Sequence, residues 1–220
     1  MLDRRSLPRL VLLLAPAAIA TLACSADPDR ERLARTTRAT YDAATGRLRQ
    51  ITYDSNKNGR VDTVTYFDGT TLLRTEIDAD EDGRVDRWEY FDAAGRLEKY
   101  GLSRAGDGKP DAWAFTGFDG AVVRLEISTK RDGRIDRWEH YDKGIVARVE
   151  EDANGDGRPD KWEAYQGGTL VAVSFDNDGD GRPDRRLSYA AEGQLSLIES
   201  DPDETGGFRT RVDVRAQAEQ

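Results

Sequence analysis

A glycine that recurs about every 24 residues constrains the fold of this chain more than any other feature. The spacing is 24 or 25 residues through most of the sequence, at Gly59, Gly83, Gly108, Gly133, Gly157 and Gly181. An aspartate follows each of these glycines by three residues, and every tryptophan comes two residues after such an aspartate, at Trp88, Trp113, Trp138 and Trp162. This register predicts a chain built from tandem copies of one small unit.

Each copy has the pattern of a loop followed by a β-hairpin. A second glycine lies midway, in segments such as FDAAGRL and FDGTTLL, where Asp and Gly stand between apolar residues as in hairpin turns. The flanking residues alternate, and in VVRLEIS this predicts Val123, Leu125 and Ile127 on one face, opposite Arg124 and Glu126. A single helix could fill the same interval, but the central glycine and the β-branched residues disfavour it.

The sequence therefore predicts an all-β protein, an antiparallel meander of about six to seven repeated β-hairpins that forms an elongated rolled sheet. A closed up-and-down barrel is the alternative. The period and the use of Trp and Gly resemble MORN-type hairpin repeats, and this resemblance implies the hairpin architecture alone. Aromatic residues near the turns are predicted to pair with aliphatic residues of the next strand and to form a second apolar strip: Phe91 with Leu97, Tyr141 with Val146, and Tyr165 with Leu170.

The loops carry oxygen-bearing side chains at fixed positions. In DADEDGRVD, carboxylates occupy positions 1, 3, 5 and 9 around a glycine at position 6. This arrangement resembles the DxDxDGxxD calcium loops that join β-strands, as in integrin-type propellers. Side-chain oxygens at positions 1, 3 and 5 converge as such a chain turns, the glycine permits the bend, the position-7 carbonyl adds an oxygen, and position 9 closes the shell.

Calcium is the expected cofactor of four loops, and position 7 contributes only its main-chain carbonyl. Three loops are predicted to bind most strongly, with these ligands: Asp78, Asp80, Asp82, Arg84 and Asp86; Asp152, Asn154, Asp156, Arg158 and Asp160; Asp176, Asp178, Asp180, Arg182 and Asp184. A fourth loop has only two carboxylates and is predicted to bind more weakly, through Asp54, Asn56, Asn58, Arg60 and Asp62. The alternative for all of these loops is an Asx-rich turn without metal.

Two further loops depart from the pattern. SRAGDGKPD has Ser103 and Ala105 at positions 1 and 3, so it lacks two carboxylates. STKRDGRID has Lys130 at position 3, where its ammonium would take the place of the ion. Lys130 and the neighbouring Arg131 therefore predict that this loop does not need a metal. At position 12, glutamates are predicted to lie on strands as partners of neighbouring basic residues rather than as metal ligands: Glu89, Glu139 and Glu163.

The N-terminal residues have the pattern of an export signal. Arg4, Arg5 and Arg9 precede an uncharged run over 10–23, which is too short to be a convincing membrane span. TLAC, which ends at Cys24, resembles the lipobox of bacterial lipoproteins, and this resemblance implies a lipid on Cys24 that anchors the protein to a membrane. A plain signal peptide is the alternative. The predicted segments are a signal peptide over 1–23, the lipidated cysteine and a flexible tether over 24–40, the hairpin repeats over 41–214, and a disordered tail over 215–220.

Composition narrows the class of function. Lys and Arg total 33 against 42 Asp and Glu, a net charge of −9, which argues against nucleic acid as a partner and suits cations. The only histidine, His140, has no catalytic companions in the pattern, so we do not expect an enzyme. The sequence predicts an exported, lipid-anchored calcium-binding protein of the cell envelope, at the outer membrane and facing either the periplasm or the outside, with a structural or protein-interaction role. A glycan bound by an exposed tryptophan row is the alternative, and core packing is the other interpretation of that row.

Overall fold

The computed structural model describes residues 35–190 and 192–214. Within them the chain forms fifteen strands in one antiparallel sheet, and each strand pairs with the next one in sequence, so the predicted all-β meander is confirmed. The two terminal strands do not pair with each other within the described residues, so the sheet is open and the barrel alternative is wrong. The strands are β1 Thr37–Tyr41, β2 Leu48–Tyr53, β3 Thr63–Asp68, β4 Thr71–Ile77, β5 Arg87–Phe91, β6 Leu97–Leu102, β7 Ala112–Thr116, β8 Val122–Ile127, β9 Arg137–Asp142, β10 Ile145–Glu151, β11 Lys161–Gln166, β12 Thr169–Phe175, β13 Arg185–Tyr189, β14 Leu195–Pro202 and β15 Phe208–Asp213.

Long loops and tight turns alternate along the chain, so they lie at opposite ends of the strands. The glycine-marked loops join β2 to β3, β4 to β5, β6 to β7, β8 to β9, β10 to β11, and β12 to β13. We number them loop 1 (54–62), loop 2 (78–86), loop 3 (103–111), loop 4 (128–136), loop 5 (152–160) and loop 6 (176–184). Because two strand spacings separate consecutive loops, neighbouring loops lie about 10 Å apart, within reach of a long side chain.

A β-bulge lies next to the tight turn of every hairpin from β1–β2 to β13–β14. In β8 it leaves Val123 unpaired and 42% exposed, so the predicted grouping of Val123 with Leu125 and Ile127 is wrong. The extra residue of a bulge breaks the alternation of side chains, which explains this difference. The predicted pairs of the second apolar strip are confirmed: Phe91 with Leu97, Tyr141 with Val146, and Tyr165 with Leu170.

Both faces of the sheet mix apolar and charged side chains. Trp138 pairs with Glu126 on one side and with Glu150 on the other, which places all three on one face. We call this the tryptophan face, because Trp88, Trp113 and Trp162 lie on it too. The opposite face, which we call the valine face, carries the apolar side chains that are buried among the described residues: Ala114, Val149 and Val173. Around loops 2, 4 and 5, the strand before the loop places most of its charged side chains on the tryptophan face, and the strand after the loop places most of them on the valine face. Neither face is therefore the single solvent side that the pattern predicts.

The first strand starts earlier than the sequence predicts. β1 begins at Thr37, inside the segment 24–40 that the sequence predicts to be a tether, and Ala39 pairs with Ile51 of β2. This strand lies at the border of the sheet, and most of its side chains are exposed, so its residues are polar. The sequence therefore lacks the apolar alternation that marks the other strands. The predicted signal peptide, Cys24 and the tail over 215–220 lie outside the described residues. Across the described ranges, no helix has the length and apolar character needed to cross a bilayer.

Candidate metal sites

The six loops share one backbone shape. The position-6 glycines all have φ between 76° and 93°, a region that residues with a side chain rarely adopt, which explains why glycine recurs there. Position 4 is also left-handed in every loop, with φ between 57° and 82°, at Lys57, Glu81, Gly106, Arg131, Gly155 and Gly179. The sequence analysis missed this second requirement, although glycine at position 4 in three of the loops was a signal for it.

The aspartates at positions 1 and 9 fold the loops through backbone N–H groups. In loop 2 the N–H of Gly83 donates to Asp78 Oδ2 at 3.0 Å, and the N–H of Ala79 donates to Asp86 Oδ2 at 2.7 Å. The same two contacts recur in loops 1, 5 and 6. In loop 2 each aspartate makes this contact through one oxygen, whereas Asp152 and Asp176 accept backbone N–H groups on both oxygens.

Loops 2 and 6 bring three carboxylates together. Within the described residues, oxygens of Asp78, Asp80 and Asp86 all lie within 4.8 Å of one another. Loop 6 repeats the arrangement with Asp176, Asp178 and Asp184. Because a cation with oxygen ligands at about 2.4 Å has opposite ligands about 4.8 Å apart, one metal ion could contact all three oxygens in either loop.

One oxygen in loop 2 has no protein partner. Asp78 Oδ1 is buried and accepts no hydrogen bond. A buried carboxylate oxygen without a partner destabilises a fold by about 1–3 kcal/mol or more. A cation at the centre of this group would satisfy it, so the residues of loop 2 fit a metal ion.

The aspartates at position 5 lie outside the two groups of three carboxylates. Asp82 accepts the N–H of Arg84 at 2.8 Å, and Asp180 accepts the N–H of Arg182 at 2.8 Å. Neither aspartate belongs to the group of three carboxylates in its loop. Position 5 thus contributes to the bend that carries the position-7 residue.

The backbone of loop 5, like that of loop 6, donates more hydrogen bonds to the loop carboxylates than the backbone of loop 2 does. Asp152 accepts N–H groups from Gly155 and Asp156 on Oδ1 and from Gly157 on Oδ2. Asp156 accepts the N–H of Arg158 at 2.8 Å, and Asp160 accepts that of Asn154 at 2.9 Å. Position 3 of loop 5 is an asparagine, so this loop has no group of three carboxylates like those of loops 2 and 6 within the described residues.

Hydrogen-bond donors lower the pKa of two of the loop aspartates. Burial acts to raise the pKa of Asp176, but the N–H groups of Gly181 and Gly179 outweigh it, and the pKa is lowered. In loop 1, burial likewise acts to raise the pKa of Asp62, while the hydroxyls of Ser55 and Thr63 lower it further than burial raises it. Both aspartates are therefore anionic at neutral pH, the state in which a carboxylate binds a cation.

Loop 1 is completed by a residue of loop 2. The side-chain amides of Asn56 and Asn58 both donate to the carboxylate of Glu81, and Asn58 Nδ2 lies 2.8 Å from its Oε1. The oxygens of the same amides accept the N–H groups of Asn58 at 3.0 Å and Arg60 at 2.8 Å. The sequence pattern of a single loop did not identify Glu81, because the residue acts between loops.

An arginine takes the cationic role in loop 3. Arg104 Nε donates to Asp111 Oδ1 at 2.8 Å, and Nη2 donates to the carbonyl of Ser128 in loop 4 at 2.6 Å. The Asp111 side chain is only 3% exposed. Arg131 of loop 4 donates a hydrogen bond to the carbonyl of Arg104 in loop 3 at 3.3 Å. The guanidinium of Arg104 thus pairs with a loop 3 carboxylate and links loop 3 to loop 4.

The glutamates at position 12 lie on strands, as predicted. They pair with basic residues of the same strand: Glu89 with Arg87 at 2.7 Å, Glu139 with Arg137 at 2.7 Å, and Glu163 with Lys161 at 2.8 Å. All of these residues lie on the valine face. Burial and a hydrogen bond to Glu139 raise the pKa of Tyr141 to about 12. These glutamates therefore belong to a charge network of the sheet and not to the loops.

Comparisons with known proteins give no family. No family model matches the chain, and no curated protein matches it. Among solved structures, S. aureus TarM is similar over 47% of this chain and 22% of its own, at 15% identity and a TM-score of 0.35, so the chain spans about a fifth of its length. A porin-like protein from Bacteroides uniformis is similar over 80% of this chain and 86% of its own, at 10% identity and a TM-score of 0.24. TM-scores this low carry no argument about function.

Proposed function

We propose that this chain is an exported, lipid-anchored calcium-binding repeat protein of the cell envelope with a structural or protein-interaction role. The observation that carries the calcium proposal is the buried, unpartnered Oδ1 of Asp78 beside the oxygens of Asp80 and Asp86. The export signal over 1–23 and the lipobox-like TLAC support the envelope location.

The donor set favours calcium among the common metals. Loops 2 and 6 offer carboxylate oxygens only, which suit hard cations, whereas zinc prefers nitrogen and sulfur ligands. Magnesium demands near-ideal octahedral geometry and keeps several waters, whereas calcium accepts irregular sets of six to eight oxygens. Water and main-chain carbonyls complete such a shell in calcium loops of this type.

A bound ion would join two strands at each site. Asp78 directly follows β4, Asp86 directly precedes β5, and Asp176 and Asp184 hold the same places at β12 and β13. Without an ion, carboxylates at this spacing repel one another by about 1 kcal/mol per pair even in water-like surroundings. Extracellular modules bind calcium with dissociation constants of about 10⁻⁴–10⁻³ M, which fits a structural ion in an exported protein.

Thermal unfolding in a chelator and across a calcium titration tests this proposal. We expect calcium to raise the melting temperature of the wild type, and Asp80→Ala combined with Asp178→Ala to remove most of the rise. Asp107→Ala is the matched control, because it removes a loop carboxylate outside both groups of three and should leave the rise intact. Equal melting of the wild type with and without calcium would contradict the proposal.

A further inference from the structure

The tryptophan face carries a repeated pair of charges. On β4, β8 and β10, an arginine forms an ion pair with the glutamate two residues later: Arg74 with Glu76 at 2.9 Å, Arg124 with Glu126 at 3.1 Å, and Arg148 with Glu150 at 3.2 Å. Two of these arginines also lie over aromatic rings, Arg74 at 3.9 Å from the Tyr66 centroid and Arg124 at 4.0 Å from that of Phe115. Each cation on these three strands thus has its own carboxylate.

Strand β6 breaks this pattern. On β6, Lys99 stands where the other strands have arginine, and Gly101 stands where they have glutamate. The strand pairing shows this equivalence: Gly101 pairs with Trp88 and Trp113, and Glu126 pairs in the same way with Trp113 and Trp138. Within the residues that the structure describes, Lys99 has no carboxylate at ion-pairing distance. Its ammonium lies instead 5.1 Å from the ring of Tyr90, 5.0 Å from that of Trp113 and 6.0 Å from that of Phe115.

The glycine also shapes the surface around the lysine. A Cβ at Gly101 would lie 3.0 Å from the ring of Trp113, so the missing side chain lets that ring settle onto the strand. Tyr90 lies against Trp113 with ring centroids 5.9 Å apart and planes tilted by 45°. Trp88, Tyr90 and Trp113 are all half-buried, so part of each ring meets solvent on this open face. The result is an aromatic surface around one cation that lacks a counter-charge.

We propose that Lys99 and the rings of Trp88, Tyr90, Trp113 and Phe115 bind an acidic sugar within a glycan chain. Aromatic rings offer flat faces that stack on the C–H faces of a pyranose, and the ammonium supplies the charge that a sugar carboxylate needs. A nucleic acid presents a phosphate at every nucleotide and would meet the net charge of −9, whereas one acid group among neutral sugars matches one free cation. This site lies on the sheet face and does not depend on calcium in the loops.

Titration of the full chain in mild detergent with a glucuronoxylan trisaccharide, which carries one glucuronic acid on neutral xylose, followed by calorimetry and tryptophan fluorescence, tests the proposal. The methyl ester of the same oligosaccharide is the matched ligand, because it keeps the rings and removes the charge. We expect the acid to bind about tenfold more tightly than the ester, and Lys99→Gln to remove that difference without weakening the ester. Arg148→Gln, at an arginine already paired with Glu150 and away from these rings, is the control and should change the acid affinity by no more than about twofold.

Other outcomes would overturn the site. Absence of binding, or equal acid affinity in wild type and Lys99→Gln, removes the lysine from the recognition of any acidic sugar. Tighter, Lys99-dependent binding of a polyglutamate peptide would replace the glycan with an acidic peptide. Binding that needs calcium and vanishes in Asp80→Ala with Asp178→Ala would place the ligand at the loops instead. Trp113→Leu should weaken acid and ester alike, and equal binding by this folded variant would exclude stacking.

Discussion

Asn58 of loop 1 donates its side-chain amide to Glu81 of loop 2, with 2.8 Å between Nδ2 and Oε1. Glu81 has a φ of 59°, a left-handed conformation that costs a residue with a side chain about 1–2 kcal/mol. The contacts that its carboxylate makes with Asn56 and Asn58 offset this cost. Neighbouring loops are therefore coupled by side chains as well as by the strands that carry them.

Glu81→Gln should lower the free energy of unfolding by about 1 kcal/mol, because a neutral amide accepts two Asn donors less well than a carboxylate does. Urea unfolding in a chelator measures this effect without any contribution from calcium. Glu98→Gln makes the same chemical change at an exposed glutamate on β6 and should stay within about 0.5 kcal/mol of the wild type. Equal effects of the two substitutions would show that the link between loops 1 and 2 does not stabilise the fold.

Arg104→Gln should destabilise the protein by about 2 kcal/mol, with or without calcium. It leaves the carboxylate of Asp111, 3% exposed, without its cationic partner and removes the donor to the carbonyl of Ser128. Arg47→Gln is the control, since Arg47 and Asp68 form an ion pair that is more than half exposed and contributes about 0–1 kcal/mol. A calcium-dependent loss in Arg104→Gln would contradict the metal-independent role of this arginine.

Two Asp→Asn changes at position 1 of different loops should affect the free energy of unfolding differently when calcium is removed by a chelator. Asp78→Asn removes an unpartnered charge from a crowded group and keeps an acceptor for Gly83, so stability should hold or rise by about 1 kcal/mol. Asp152→Asn removes an acceptor from a carboxylate whose oxygens both receive N–H groups, so stability should fall by about 1 kcal/mol. Urea unfolding of both variants measures the difference, and losses of equal size would count against the unpartnered oxygen in loop 2.

His140 should make stability fall as the solution becomes more acidic. Burial, and then the charge of Arg148, lower its pKa below the usual 6.5, so the unfolded chain binds the proton more readily than the folded chain does. This contribution is present above about pH 6.5 and is lost as the pH falls through the folded pKa. The free energy of unfolding between about pH 7.5 and about pH 5.5 should therefore fall less in His140→Gln than in the wild type. An identical fall in both proteins would show that His140 does not contribute.

The glycine spacing and the alternation of residues predicted the meander, its hairpins and the strip of turn-proximal pairs. The assignment of residues to faces was harder, because each bulge adds one residue and reverses the alternation beyond it. Val123 shows this, since it continues an apolar pattern and yet lies unpaired and exposed. Local alternation predicts strands well, but the register between strands decides which side chains share a face.

The candidate sites divide in the same way. Asp78, Asp86 and Gly83 act within one loop, so their spacing in the sequence predicted that they come together there. Glu81 and Arg104 each contact a residue of the neighbouring loop. In both cases the partner lies more than twenty residues away in the sequence. No motif for a single loop contains that relationship, because it arises only when the hairpins pair.

Calorimetric titration of the protein with calcium tests the central claim most directly, since it counts ions and assigns them to loops. The account predicts two strongest sites, one lost in Asp80→Ala, the other in Asp178→Ala, and both in the double variant, with weaker binding at loops 1 and 5. Absence of calcium binding, or equal binding by the wild type and the double variant, would contradict it and leave these loops as turns held by their own backbone.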